Sequence, residues 1–165
     1  MDKTVADSSV LIHLAAIQQL NLLPRLFGEV AIPEAVWEEV VTQGGARPVA
    51  EQVRQAVKDG WLKRLAITNS VLEAALRHDL HVGEAAAICL ALETKAAVLL
   101  VDEAEARLIA THYGLRVAGI IGVLLWAKQA GHLNVIRPHL VALAASGFYL
   151  STTLVNRILR DAGEG

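Results

Sequence analysis

The chain has 165 residues, of which 54% are hydrophobic, and its formal net charge is -2. This length allows an ordinary hydrophobic core without disulfides or structural metals, and one domain over residues 1–165 is expected. The charge excludes an overall basic field that would attract nucleic acid, so a polyanion could be held only by a local patch or by bound cations.

The apolar runs are interrupted by charged residues or glycine before they reach the roughly 18 residues that cross a bilayer, so no membrane span is predicted. The N-terminal residues MDKTVADSS lack the basic segment, the apolar segment and the cleavage site of a secretory signal. A cytoplasmic protein is therefore expected.

Short apolar segments alternate with longer amphipathic segments along the chain. In chain order, strands are predicted at 5–6, 29–33, 61–67, 98–101 and 115–119. Helices are predicted at 8–18, 33–41, 48–60, 70–77, 84–96, 103–113, 122–133, 137–147 and 151–163. Strands separated by helices form most simply a parallel sheet that is covered on both faces. The predicted fold class is α/β, as a three-layer α/β/α sandwich with a central parallel sheet.

Two of the predicted strands run directly into an aspartate. Asp7 follows the first strand in KTVADSSVLIHL, and Asp102 follows the continuous apolar strand in VLLVDEAEAR. Ligands of parallel α/β folds bind at the carboxyl ends of the strands. Both aspartates are therefore candidate site residues.

Two glutamates are predicted to lie near these strand ends. Glu84 comes in the first turn of a helix, and Glu39 flanks a helical face marked by Val36 and Val40. Carboxylates gathered at one sheet edge raise one another's pKa unless a cation lies among them. A set of oxygen ligands of this kind suits Mg²⁺ or Mn²⁺.

Each of these acids also has an ordinary structural interpretation. Asp7 and Asp102 could cap the helices that follow them, and Glu84 could interact with a helix dipole. Glu39 could be a solvated surface residue. Three tryptophans, Trp37, Trp61 and Trp126, are expected to anchor the core or an interface rather than to stack on bases.

Five segments together resemble the PIN-domain nucleases, and most closely their short, VapC-like prokaryotic branch: VADSSVLIHL, IPEAVWEEV, GEAAAICLALE, LLVDEAEAR and GLRVAGIIGVLLWAKQAG. The resemblance covers nearly the whole chain, including the tail GFYLSTTLVNRILRDAGE. It implies a PIN-like parallel sandwich in which three or four acids bind one or two Mg²⁺ or Mn²⁺ ions for RNA hydrolysis.

The resemblance also implies roles for individual residues. The catalytic acids of the family match four positions, Asp7, Glu39, Glu84 and Asp102. The metal ligands are expected to be Asp7, Glu84 and Asp102, with Glu39 and Glu103 as further candidate ligands. The candidate substrate-binding residues are Ser8 and Arg107, although Arg107 could equally form a surface ion pair with Glu103.

Two positions depart from the family pattern. The acid at the helix start is often aspartate in PIN nucleases, whereas this chain has Glu84. A threonine or serine often follows the VAG segment in the family, whereas this chain has Ile120.

The function implied by the resemblance is that of a Mg²⁺- or Mn²⁺-dependent endoribonuclease, the toxin of a toxin-antitoxin pair. Its partners would be RNA, a small antitoxin protein and a second copy of the chain in a homodimer. The alternative is a catalytically inactive PIN-fold module that acts through protein-protein binding, and divalent-metal binding separates the two hypotheses. The chain lacks the glycine-rich phosphate loop, the dinucleotide fingerprint and the Gly-x-Ser-x-Gly elbow, which argues against three other enzyme classes.

Overall fold

The computed structural model describes residues 2–165. These residues form one parallel sheet of five strands: β1 (Thr4–Ala6), β2 (Val30–Pro33), β3 (Leu62–Leu65), β4 (Val98–Leu100) and β5 (Val117–Ala118). The strand order is β3-β2-β1-β4-β5, and every neighbouring pair is parallel. The predicted strand at 61–67 lies at one edge of this sheet.

Residues 2–165 also form ten helices: α1 (Ser8–Ala16), α2 (Leu22–Phe27), α3 (Glu34–Trp37), α4 (Pro48–Lys58), α5 (Ser70–Leu76), α6 (Val82–Glu93), α7 (Ala104–His112), α8 (Ile120–Gln129), α9 (Arg137–Ala145) and α10 (Thr152–Asp161). Helix α3 continues directly into a π-helical turn, Glu38–Thr42. Across the described range, no helix is both long enough and apolar enough to cross a membrane.

Helices cover both faces of the sheet, and the strand side chains alternate between two apolar clusters. Ala6 and Leu100 belong to a cluster with α1, α2, α4, α8, α9 and α10. Val5 and Leu99 belong to a second cluster with α5, α6 and α7. Strand β4 is buried on both faces because it lies between these layers. The predicted α/β/α architecture is therefore confirmed.

The chain reverses its direction across the sheet between β1 and β4. It passes from β1 outward to β2 and β3, and then crosses back to β4 and β5 on the other side. The Asp7 backbone N–H donates to the Leu100 carbonyl oxygen at 2.9 Å, so the ends of β1 and β4 are adjacent. This is the topological switch point at which open α/β sheets bind ligands.

Some element boundaries differ from the sequence prediction for local reasons. Helix α1 ends at Ala16 instead of residue 18, because Gln18 adopts a left-handed backbone conformation with φ 61°. The sequence pattern does not predict α2, which contains Pro24. Pro24 is tolerated because it is the third residue of the helix, where its missing N–H would have no intrahelical partner.

The C-terminal residues are fastened to helices α8 and α9. The Glu164 carboxylate accepts hydrogen bonds from Lys128 Nζ at 2.8 Å and from the Ile136 backbone N–H at 2.8 Å. Lys128 Nζ also donates to the Ala162 carbonyl oxygen at 2.6 Å. The bond from Lys128, together with the backbone N–H donors, holds the pKa of Glu164 below its usual range. This contact fixes the end of α10 against α8.

Candidate active site

Asp7 is a buried carboxylate with little local stabilisation. It occupies the N-cap position of α1, yet within the described chain its side chain accepts no capping hydrogen bond. Ser8 Oγ donates to Asp7 Oδ1 at the long distance of 3.4 Å, and Asp7 is 3% exposed. Burial raises the pKa of Asp7 to about 7, with added repulsion from Glu84 and Glu39, although the Ser8 backbone N–H opposes the increase.

The two glutamates come from helical segments on either side of Asp7. Glu84 lies in the first turn of α6, is buried, and accepts a hydrogen bond from the His81 backbone N–H at 3.1 Å. Glu39 belongs to the π-helical turn. All three carboxylates line one small cavity, and both glutamates therefore add to the increase in the pKa of Asp7.

Gly83 makes room for this approach. A β-carbon at Gly83 would lie 2.8 Å from Glu39 Oε1, 3.2 Å from Ser8 Oγ and 3.6 Å from Asp7 Oδ1. Any larger residue would displace the Glu39 carboxylate from this position. The glycine therefore brings the backbone of α6 directly against the polar groups of α1 and the π-helical turn.

These side chains line a small cavity of about 210 Å³, here called the acid cavity: Asp7, Ser8, Ser9, Ile12, His13, Glu39, His81, Glu84 and Glu103. Five of the residues predicted from the sequence are among them. Ser9 and His13 of α1 and His81, the N-cap residue of α6, were not predicted as site residues, because neither serine nor histidine carries a distinguishing sequence signal at these positions.

Asp102 follows β4, the strand next to β1, but its carboxylate bonds to a different part of the chain. Its Oδ1 accepts a hydrogen bond from the Ile120 backbone N–H at 2.9 Å, and Gly119 packs so closely that a β-carbon there would collide with this oxygen. Asp102 therefore satisfies the first N–H of α8, not the helix α7 that follows it. Among residues 2–165, the buried Oδ2 of Asp102 has no hydrogen-bond partner.

Asp102 and Arg107 line a separate, larger cavity of about 920 Å³. Burial raises the pKa of Asp102, whereas the Ile120 N–H, His13 and Arg107 lower it. Arg107 therefore lies near Asp102, and in the described residues it forms no salt bridge with Glu103. The structure thus brings Asp7, Glu39 and Glu84 together, and places Asp102 one strand away.

The donor chemistry of the acid cavity fits a hard divalent cation. In the range 2–165, no three His, Cys, Asp or Glu side chains are already arranged as metal ligands. Mg²⁺, however, usually keeps several waters and binds through only one or two carboxylates. Asp7 Oδ1 and Glu39 Oε1 approach the same point beside Gly83, and the buried Asp7 has no cationic partner in the described chain. These oxygen donors match the preference of Mg²⁺ or Mn²⁺.

Asp102→Ala is expected to lower the free energy of unfolding by about 1 kcal/mol, because the first N–H of α8 loses its acceptor. Glu103→Ala is the matched control, since Glu103 precedes α7 without a side-chain capping bond there. We expect the control to change stability by less than about 0.5 kcal/mol. Urea unfolding at acidic pH would measure both, because burial raises the pKa of Asp102 and so favours its neutral form there. Equal losses in the two variants would contradict the capping role.

The sheet order and the carboxylates at its switch point define an α/β protein with an acidic site between β1 and β4. A family model described as a PIN domain matches residues 3–164. The chain therefore belongs to the PIN-domain family, as predicted from the sequence. PIN domains are generally nucleases. Comparison with curated proteins gave no match.

Proposed function

We propose that the chain is a divalent-metal-dependent endoribonuclease that hydrolyses RNA phosphodiester bonds, and the toxin of a toxin-antitoxin pair of the VapC-like branch. The observation that carries the proposal is the burial of Asp7 beside Glu84 and Glu39. Such a cluster destabilises the folded protein unless a cation neutralises it. In a PIN domain, a nuclease metal site is the simplest reason to retain it.

The metal would be held by Asp7, Glu84 and Glu39, with Glu103 at the rim of the same cavity. When bound, Mg²⁺ or Mn²⁺ supplies charge neutralisation for the scissile phosphate and lowers the pKa of water. Ser8 orients Asp7 through its hydroxyl, and the His81 backbone N–H orients Glu84. These contacts fix the direction in which the carboxylates face the substrate.

Asp102 and Arg107 would act on the neighbouring side of the substrate. Because Oδ1 of Asp102 is engaged by Ile120, the unpartnered Oδ2 is the oxygen available to a cation. Arg107 is exposed and lies beside Asp102, where its guanidinium can contact a phosphate oxygen. This pairing accounts for RNA binding by a chain whose net charge is -2.

A small antitoxin protein, a homodimer and a cytoplasmic location are part of the same proposal. The resemblance to the VapC-like branch supports all three, and large exposed apolar side chains support the two protein contacts. Val71, Leu108 and Val141 are 80%, 73% and 65% exposed. Exposed apolar side chains of this kind are suited to contacts with other proteins.

The second candidate function is an inactive PIN-fold module that only binds a protein partner. It is favoured by the fact that, in residues 2–165, no three potential ligands are pre-arranged for a metal. Metal binding and RNA cleavage distinguish this module from the nuclease.

The test combines calorimetric titration of Mn²⁺ with cleavage of end-labelled RNA. The wild type should bind Mn²⁺ and cleave RNA, EDTA should stop cleavage, and Asp7→Asn combined with Asp102→Asn should lose both properties. Induced expression should arrest growth with the wild type but not with the double variant. Glu38→Gln is the control, because Glu38 is exposed and adjacent to Glu39 but does not line the acid cavity. A wild type that binds no metal at millimolar concentration would contradict the nuclease and favour the binding module.

A further inference from the structure

The larger cavity beside Asp102 is lined by both charged and aromatic side chains. Asp102 and Arg107 line it together with Trp126, Phe148, Tyr149 and Leu154. We propose that this cavity, here called the aromatic cavity, binds a nucleobase of the RNA strand next to the phosphodiester that is cut. The inference rests on the proposed ribonuclease function and adds a base-binding subsite to it.

Trp126 is held in place yet remains accessible, and Tyr149 is accessible beside it. Trp126 packs edge-to-face against Phe27 with ring centroids 6.1 Å apart, but it is still 36% exposed. Tyr149 is 85% exposed at the same cavity. A base can stack on such rings whatever its identity, because every base has a π-face. Of the two roles expected for Trp126, an anchor of the core or of an interface, its exposure excludes a fully buried core position.

The aromatic cavity lies next to the acid cavity. His13 lines the acid cavity, and its ring packs edge-to-face on Phe148 of the aromatic cavity, with centroids 4.9 Å apart. Asp102 is itself part of the aromatic cavity and follows the strand adjacent to β1. A phosphate held near Asp102 would therefore have an aromatic surface within reach of its neighbouring base.

The charges at the aromatic cavity allow it to hold a phosphate as well as a base. Lys128 is neutralised by Glu164 and fastens α8 to the C-terminal residues, so it forms part of the cavity wall. Arg107 has no salt bridge in the described chain and can receive the phosphate. The Gln129 amide and the Asp161 carboxylate also line the cavity and can bond to base edges.

The dimensions agree with this occupant. The volume of about 920 Å³ falls within the roughly 300–1,000 Å³ of small-molecule sites. The contact between Lys128 and Glu164 holds two walls of the cavity, α8 and the end of α10, in a fixed relation. A base can enter without reorganisation of these walls, which limits the entropic cost of binding.

The experiment measures the affinity for a short fluorescent single-stranded RNA by anisotropy, in Ca²⁺ and with the RNA shown to be intact on a gel. Tyr149→Ala should weaken binding about tenfold, the usual scale for one stacked ring, whereas Tyr149→Phe should retain affinity. Tyr113→Ala is the matched control, since Tyr113 is 44% exposed and lies outside the aromatic cavity. An RNA of the same length without bases should bind the wild type and Tyr149→Ala equally.

The possible outcomes show whether the base-binding subsite, the ribonuclease function or both are wrong. If the wild type binds and cleaves RNA but Tyr149→Ala binds equally well, the subsite is wrong and the nuclease stands. If the wild type does not bind RNA at all, both are wrong. If Tyr149→Ala leaves the RNA affinity unchanged and alters only the oligomeric mass measured by sedimentation, the aromatic cavity is a protein interface. The subsite is then again wrong.

Discussion

Asp7→Asn is expected to abolish RNA cleavage while making the metal-free protein more stable. The variant removes a candidate metal ligand, and loss even of residues that only support a ligand costs about 10–100-fold, so cleavage should fall by at least about 100-fold. Stability should rise because the variant also removes a buried charge that repels Glu84 and Glu39. If replacing Asp7 stabilises the fold and abolishes cleavage, the Asp7 carboxylate is retained for function and not for stability.

The stability gain should depend on pH in a defined direction. The pKa of Asp7 is raised from 3.8 to about 7, so the folded state holds this proton more tightly than the unfolded state does. The resulting stabilisation is complete below pH 3.8 and is lost as the pH rises to about 7. The loss from this one group is on the order of 4 kcal/mol. Asp7→Asn does not undergo this loss.

Thermal unfolding in EDTA at about pH 5 and about pH 8 would measure the effect. The advantage of Asp7→Asn over the wild type should grow between these two values, and Glu38→Gln should show no such growth. Added Mn²⁺ should stabilise the wild type but not Asp7→Asn, because only a folded state that binds the ion gains from it. Cleavage retained within about tenfold in Asp7→Asn, or a pH-independent difference, would contradict this account.

Gly83→Ala is expected to reduce RNA cleavage by at least about tenfold without unfolding the protein. The new methyl group would occupy a position 2.8 Å from Glu39 Oε1, so the Glu39 carboxylate must move away. That carboxylate is the end of a flexible side chain, so its movement costs little. Alanine also favours a helix over glycine by roughly 0.5–1 kcal/mol, which should leave α6 as stable as before or more stable.

A comparison with Glu39→Gln shows whether Gly83→Ala reduces RNA cleavage by displacing Glu39. Each single variant should reduce cleavage, and the double variant should be no worse than the poorer of the two, because both disturb the same carboxylate. Fully additive losses would mean that Gly83→Ala damages some other part of the site. A melting temperature well below that of the wild type would mean that the methyl group disturbs the fold instead.

The fold class and the two strand-end aspartates could be predicted from local patterns. Four consecutive aliphatic residues at 98–101 are typical of a strand buried on both faces, and Asp102 had to follow at the carboxyl end of that strand. Asp7 repeats the pattern one strand away. The local pattern predicts the tertiary position here because a parallel sheet places the carboxyl ends of all its strands at one edge.

The relations among these residues depended on contacts that no local pattern contains. Asp102 bonds to Ile120, 18 residues further along the chain, so the alternative interpretation of Asp102 as the cap of α7 was wrong. Gly83 matters because of its distance from Glu39, which depends on how α6 packs against the π-helical turn. Even the proximity of His13 to Asp102 requires the packing of α1 beside β4.

The π-helical turn that carries Glu39 affects how this chain can be compared with its relatives. Its hydrogen bond runs from the Gln43 N–H to the Glu38 carbonyl oxygen at 2.8 Å, spanning five residues where an α-helix spans four. A relative with an ordinary α-helix at this point needs one residue fewer to cover the same length. A gapless alignment fixed on the residues after this turn would therefore pair Glu39 with the wrong residue. A single-residue gap near Glu38–Thr42 would restore the correspondence.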